Sequence, residues 1–132
     1  MQLATDVRNA MLDAIETIIG TAPTMKIFSG AAPANCAAAD SGTVLATLSL
    51  PSDWLAAASG GSKSKSGTWE DTSADATGTA GHVRIYTSGG VCKLQGSVTG
   101  TGDGGFMTVN NTSFAATQPF VVTGFTLTMP HA

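Results

Sequence analysis

The stretch His82-Val83-Arg84-Ile85-Tyr86-Thr87-Ser88-Gly89-Gly90-Val91-Cys92-Lys93-Leu94-Gln95-Gly96-Ser97-Val98 decides the fold class. Successive side chains of an extended chain point to opposite faces, so Val83, Ile85 and Thr87 share one face while His82, Arg84 and Tyr86 share the other. Ser88-Gly89-Gly90 supplies residues that accept the positive backbone angles of a tight reversal. After it the alternation resumes, with Cys92, Leu94, Gly96 and Val98 on one face. The pattern predicts a β-hairpin.

Moving outward, residues 25–29 form a short strand candidate. Residues 43–50 alternate Val44, Ala46, Leu48 and Leu50 against Thr43, Leu45, Thr47 and Ser49, and Pro51 ends the run. Leu45 breaks the alternation. On the other side of the hairpin, residues 99–105 read as a glycine-rich hairpin turn into a strand at 106–109, and Asn110-Asn111 is a second turn signal. Residues 120–129 form the longest β run, with Val121, Thr123, Phe125, Leu127 and Met129 expected on the core side and Val122, Gly124, Thr126 and Thr128 opposite. Residues 56–67 and 71–81, rich in Ala, Gly, Ser and Thr, read as long surface loops around a short strand at 67–71.

One segment breaks the β pattern. Val7, Ala10, Met11, Ala14, Ile15, Ile18 and Ile19 recur at the spacing of one helical face, with Arg8, Asn9, Asp13, Glu16 and Thr17 on the other. The spacing predicts a helix over 5–19, capped by Thr5 or Asp6 and stopped by Gly20. Its apolar stripe either covers the domain's own sheet or docks on a partner subunit. The expected architecture is therefore one domain over 1–132, mainly β. It consists of an N-terminal amphipathic α-helix (5–19) and a β-rich body (25–130) built as an antiparallel β-sandwich, with a jelly roll or a partly closed barrel as variants.

Composition narrows the function. Only 11% of the 132 residues are charged, against about 25% in typical domains, while 42% are hydrophobic. Nine acidic and six basic residues give a net charge of -3, which argues against an electrostatic grip on nucleic acid. No apolar run approaches the roughly 18 residues of a membrane span, and no signal segment opens the chain, so a soluble cytoplasmic product is expected. A surface this poor in charge suits a subunit that buries its outside against neighbours.

Site chemistry is sparse. Cys36 and Cys92 have no further sulfur or histidine at metal-ligand spacing, so they either pair in a disulfide or stay as two buried thiols. Gly100, Gly102 and Gly105 satisfy G-x-G-x-x-G, but β-forming residues follow where a phosphate-binding helix would have to begin. Ser62-Lys63-Ser64-Lys65 matches S-x-x-K without the partner motifs of an acyl-transferase, and reads as a solvated loop. His82 and His131 stand alone, and Asp71, Asp75 and Asp103 lack cation-loop spacing. Asn110-Asn111-Thr112 and Asn111-Thr112-Ser113 match the glycosylation sequon, which carries no weight without secretion. Trp54 and Trp69 read as core or interface anchors. No enzyme, metal or cofactor is expected. A carbohydrate-binding sandwich stacking sugars on Trp54, Trp69 and Tyr86 is the reading from another class.

Taken together, the helix Val7-Arg8-Asn9-Ala10-Met11-Leu12-Asp13-Ala14-Ile15-Glu16, then Ser29-Gly30-Ala31-Ala32-Pro33, Leu50-Pro51-Ser52-Asp53-Trp54, Ala80-Gly81-His82-Val83-Arg84-Ile85-Tyr86 and Phe125-Thr126-Leu127-Thr128, resemble a group of small tailed-bacteriophage virion structural proteins. The likeness runs nearly end to end and is greatest to capsid cement, or decoration, proteins. It implies a dimer or trimer that sits on the outside of the head shell and clamps the major capsid protein, made in the host bacterial cytoplasm. A tail or neck component is the alternative within the same class.

Overall fold

The structure is a computed structural model and describes residues 1–130. The hairpin is its centre. Strands β5 (Gly78–Tyr86) and β6 (Cys92–Gly100) are the two longest and pair antiparallel, with the Thr87 amide donating to the Val91 carbonyl across the turn at 2.9 Å. β5 extends four residues ahead of its sequence expectation, into what read as a loop.

On the other side of β5 lies β1 (Thr24–Ser29), and beyond it β2 (Val44–Ser49), both antiparallel. At the far edge β6 pairs with β7 (Met107–Val109), and β8 (Ser113–Phe114) adds to the start of β5. The main sheet thus runs β2-β1-β5-β6-β7. Two short ladders complete the body: β3 (Ser62–Ser64) with β10 (Thr126–Thr128), and β4 (Glu70–Asp71) with β9 (Phe120–Val121). The sandwich is uneven, a broad sheet against two narrow ladders, with helix α1 (Thr5–Ile19) laid along β3.

Met25, Ile27, Leu48, Val83, Ile85 and Val98 from the main sheet join Trp54, Leu55, Trp69, Val122, Phe125 and Leu127 in one apolar cluster. Trp69 is its hub, its ring 6.0 Å from Trp54 and 5.1 Å from Phe125. Both indole N–H groups are satisfied inside the protein, Trp54 donating to the Gly20 carbonyl at 3.0 Å and Trp69 to the Ser66 carbonyl at 3.1 Å. Gly96 lies against the Phe106 ring, so closely that a side chain at 96 would displace it.

Departures from the sequence expectations have local causes. Leu45 breaks its alternation because the β1–β2 register shifts between Ile27 and Phe28, leaving Leu45 as the extra residue of a bulge, buried with Ala46. A second shift, between Ile85 and Tyr86, sets Cys92 opposite Tyr86 and removes it from the face of Leu94. The 101–106 segment is not a hairpin turn: it returns the chain to run parallel to β6 for three residues. Such a short return is feasible because β6 side chains seize the incoming amides, with Thr99 Oγ1 accepting from the Gly105 amide at 2.9 Å and Ser97 Oγ from the Phe106 amide at 3.0 Å.

The run 120–129 is not one strand. It breaks after Val121, so Val121 is exposed and Val122 buried, the reverse of expectation, while Phe125 and Leu127 keep the core side. The chain must leave β4 and reach β3, and the irregular residues between absorb the change of parity. The helix has its expected bounds, but Ala4 is the residue before it and no side chain caps it.

Trp69→Ala removes the hub of the aromatic cluster and leaves a cavity that the surrounding strands cannot close. The expected loss, measured by urea or guanidinium unfolding, is roughly 3–5 kcal/mol.

Candidate interaction surface

Helix α1 packs in a way that its apolar periodicity does not foretell. Leu12 and Ile19 enter the core, yet Val7, Met11 and Ile18 stay 43%, 41% and 65% exposed, and Ala10 and Ala14 lie in the open between them. The residues turned toward the body include the polar ones. Asn9 Oδ1 accepts from the Gly61 amide at 2.9 Å, Asp13 Oδ1 from the Ala58 amide at 3.3 Å, and Arg8 Nη1 donates to the Met129 carbonyl at 3.2 Å.

The anchor is Lys63. Its side chain is 2% exposed, and its ammonium donates to Asp13 Oδ1 at 2.6 Å and Glu16 Oε2 at 2.7 Å, carboxylates one helical turn apart. Burial alone would push Lys63 down, but the two hydrogen bonds outweigh it and hold the ammonium above its ordinary value. The same bond from Lys63, with that from the Ala58 amide, holds Asp13 below the usual carboxylate range. Ser62-Lys63-Ser64 is therefore a strand, not a solvated loop. Its cation can be buried because a helix about fifty residues earlier brings the counter-charges.

Apolar side chains at 7, 11 and 18, with alanines at 10 and 14, thus form an outward stripe on a helix fixed by polar contacts. Five of the seven residues of the sequence's apolar face, Val7, Ala10, Met11, Ala14 and Ile18, lie outside the core. Of that face only Ile19 and the half-buried Ile15 meet the core, where Leu12, from outside the expected stripe, joins them.

A second built region lies on the polar face of β5. His82 is fully buried, stacked on Phe28 with ring centres 4.9 Å apart, its Nδ1 2.8 Å from the Gly30 carbonyl. Arg84, 1% exposed, pairs with Asp40 and donates through Nη2 to the carbonyls of Cys36 at 2.9 Å, Ala38 at 3.0 Å and Asn35 at 3.4 Å. The Tyr86 hydroxyl donates to Asp40 Oδ1 at 2.5 Å. Burial would raise Asp40, but Tyr86 and Arg84 together hold it below the usual carboxylate range. Burial and the Asp40 charge both push the Tyr86 phenol up. His82, Arg84 and Tyr86 share the face opposite Val83 and Ile85, as the alternation predicts, and a strap of residues 31–42 covers them.

The remaining candidates are spent on structure. Trp54 and Trp69 are core anchors with no exposed ring, and Tyr86 is buried, so none of the three offers a sugar a stacking surface. Asp71 accepts from the Thr47 and Ser73 amides at 2.9 and 3.0 Å, and Asp75 accepts from the Thr47 hydroxyl at 2.7 Å. Asp103 lies in the 101–106 return, and His131 lies outside the described residues. Among the described residues no His, Cys, Asp and Glu cluster suits a metal ion, and no helix is long and apolar enough to cross a membrane. Cys36 and Cys92 stand free and half-buried. A cleft of about 430 Å³ is lined by Thr101, Thr108, Asn110, Thr123, Phe106 and Phe125 among others, with no ionisable side chain. Comparison of the chain with protein-family models, curated protein sequences and solved structures gives no significant match.

The Lys63 anchor has a definite pH signature. Asp13, with its lowered pKa, stabilises the fold above its unfolded value of about 4 and stops doing so as pH falls through the lower folded value. Lys63, with its raised pKa, stabilises up to its unfolded value near 10.5 and stops only above it. Trp54 fluorescence should therefore hold steady between about pH 5 and 9 and change in acid below about pH 4, as the helix bearing Gly20 loosens. Lys63→Met should flatten that acid limb.

Proposed function

We propose that this chain is a bacteriophage virion structural subunit, a cement or decoration protein bound to the outside of the head shell. The apolar stripe of α1 carries the reading. Three large apolar side chains in the open on a helix otherwise held by polar contacts cost solubility unless a neighbour covers them. The likeness of the helix and four further segments to small phage virion proteins supplies the class of neighbour.

In this role the stripe meets the major capsid protein and copies of the chain associate as a dimer or trimer. Low surface charge helps, because little desolvation of ions opposes contact. A modest interface repeated over a symmetric lattice accumulates into large stabilisation of the shell. Neither catalysis nor a cofactor is needed, and the protein acts by occupying a seam.

Quantitative mass spectrometry of purified virions tests the placement. Hundreds of copies per particle are expected for a shell protein, whereas a few or a few tens would assign it to the tail or neck, and absence would overturn the reading. Met11→Asp with Ile18→Asp should abolish incorporation while the isolated variant unfolds within about 0.5 kcal/mol of the parent, as exposed positions permit.

A further inference from the structure

Cys36 and Cys92 are free thiols, each half-buried. The strap that carries Cys36 is fixed at several points. Arg84 holds three of its carbonyls and the Asp40 carboxylate, the Gln95 side-chain amide donates to the Pro33 carbonyl at 2.8 Å, and Asn35 Oδ1 accepts from the amides of Ala37 and Ala38 at 2.9 and 3.0 Å, a turn that wraps around Cys36. Cys92 comes to the same place from the sheet. The register shift beside it sets Cys92 opposite Tyr86, on the face that Arg84 and Tyr86 share. Arg84 Nη2 donates to the Cys36 carbonyl at 2.9 Å, and Cys92 stands opposite Tyr86 on the same face, so strap and strand bring the two cysteines to one region around Arg84. Both are half-buried, so a small reagent can reach them.

We propose that Cys36 and Cys92 form a thiol–disulfide exchange site, which a low-molecular-weight disulfide such as glutathione disulfide converts into a bond that locks the 31–42 strap onto the main sheet. One protein thiolate attacks a sulfur of glutathione disulfide, forming a protein–glutathione mixed disulfide and expelling one glutathione thiolate. The second protein thiolate then attacks the protein-side sulfur, forming the Cys36–Cys92 bond and expelling the second glutathione. Each protein sulfur loses one electron and its proton; the two glutathiones gain both. The strap is already held against the sheet by Arg84, Asp40 and Tyr86, which keeps Cys36 on the face where Cys92 stands. A cross-link spanning this much of the chain restricts the unfolded ensemble strongly. The inference stands apart from the assembly role.

The full chain, purified with reductant, should show two reactive thiols under native conditions. Incubation with glutathione disulfide should remove both, and a non-reducing peptide map should recover the Cys36 and Cys92 peptides as one linked species. The oxidised monomer should melt roughly 10 °C higher than the reduced one, with slowed amide exchange across residues 31–42. Cys36→Ser and Cys92→Ser should each fold, retain one thiol, and lose the oxidation-dependent rise. Stable glutathione adducts on both cysteines, disulfide-linked dimers as the main product, or an oxidised monomer that melts no higher would each overturn the proposal.

Discussion

A cation taken out of water has to be met by partners, and this molecule does so twice. Arg84 on β5 and Lys63 on β3 are both buried, although only six basic residues occur in the chain. An isolated buried charge costs several kcal/mol, so each drags a distant segment into place. Arg84 draws the 31–42 strap over the polar face of the central strand, with Asp40 and three carbonyls as its partners. Lys63 draws α1 onto β3 through Asp13 and Glu16. The apolar core accounts for the sandwich, and the two cations account for what lies on its outside.

The second of these contacts sets which face of α1 is left outward. A helix held only by its apolar stripe would bury that stripe and present a polar face, as the periodicity of residues 7–19 suggests. Here carboxylates and an amide hold the helix from its polar flank, so the body receives only Leu12, Ile19 and part of Ile15. Val7, Met11 and Ile18 are left outward. The intramolecular cover weighed from the sequence is therefore realised only in part.

Much of the fold was legible. The alternation of residues 82–87 and 92–98 located the central hairpin, and the bounds of α1 and the positions of β1 and β2 followed from period and punctuation. The failures share a type. Leu45 and Cys92 sit at register shifts, and the parity of Val121 and Val122 depends on a break between two ladders; none of these has a local signature. Ser62-Lys63-Ser64 looked like linker because its partners lie about fifty residues upstream. Among the candidate site residues, Trp54 and Trp69 are buried in the core, whereas the roles of Arg84, Asp40 and Lys63 had no motif to announce them.

The sequence by itself determined a mainly β domain with one helix, a surface poor in charge, and the alternation that makes β5 and β6 the centre of a sheet. Those are properties of neighbours in the chain, set by backbone geometry and side-chain period. Only the tertiary structure decided which face of α1 meets the body, that a lysine between two serines forms a strand, and that the strap bearing Cys36 covers the face where Cys92 stands. Each of these turns on a charge or a bulge whose partner is far away in sequence, and pairing of that kind is settled only when the whole chain is folded.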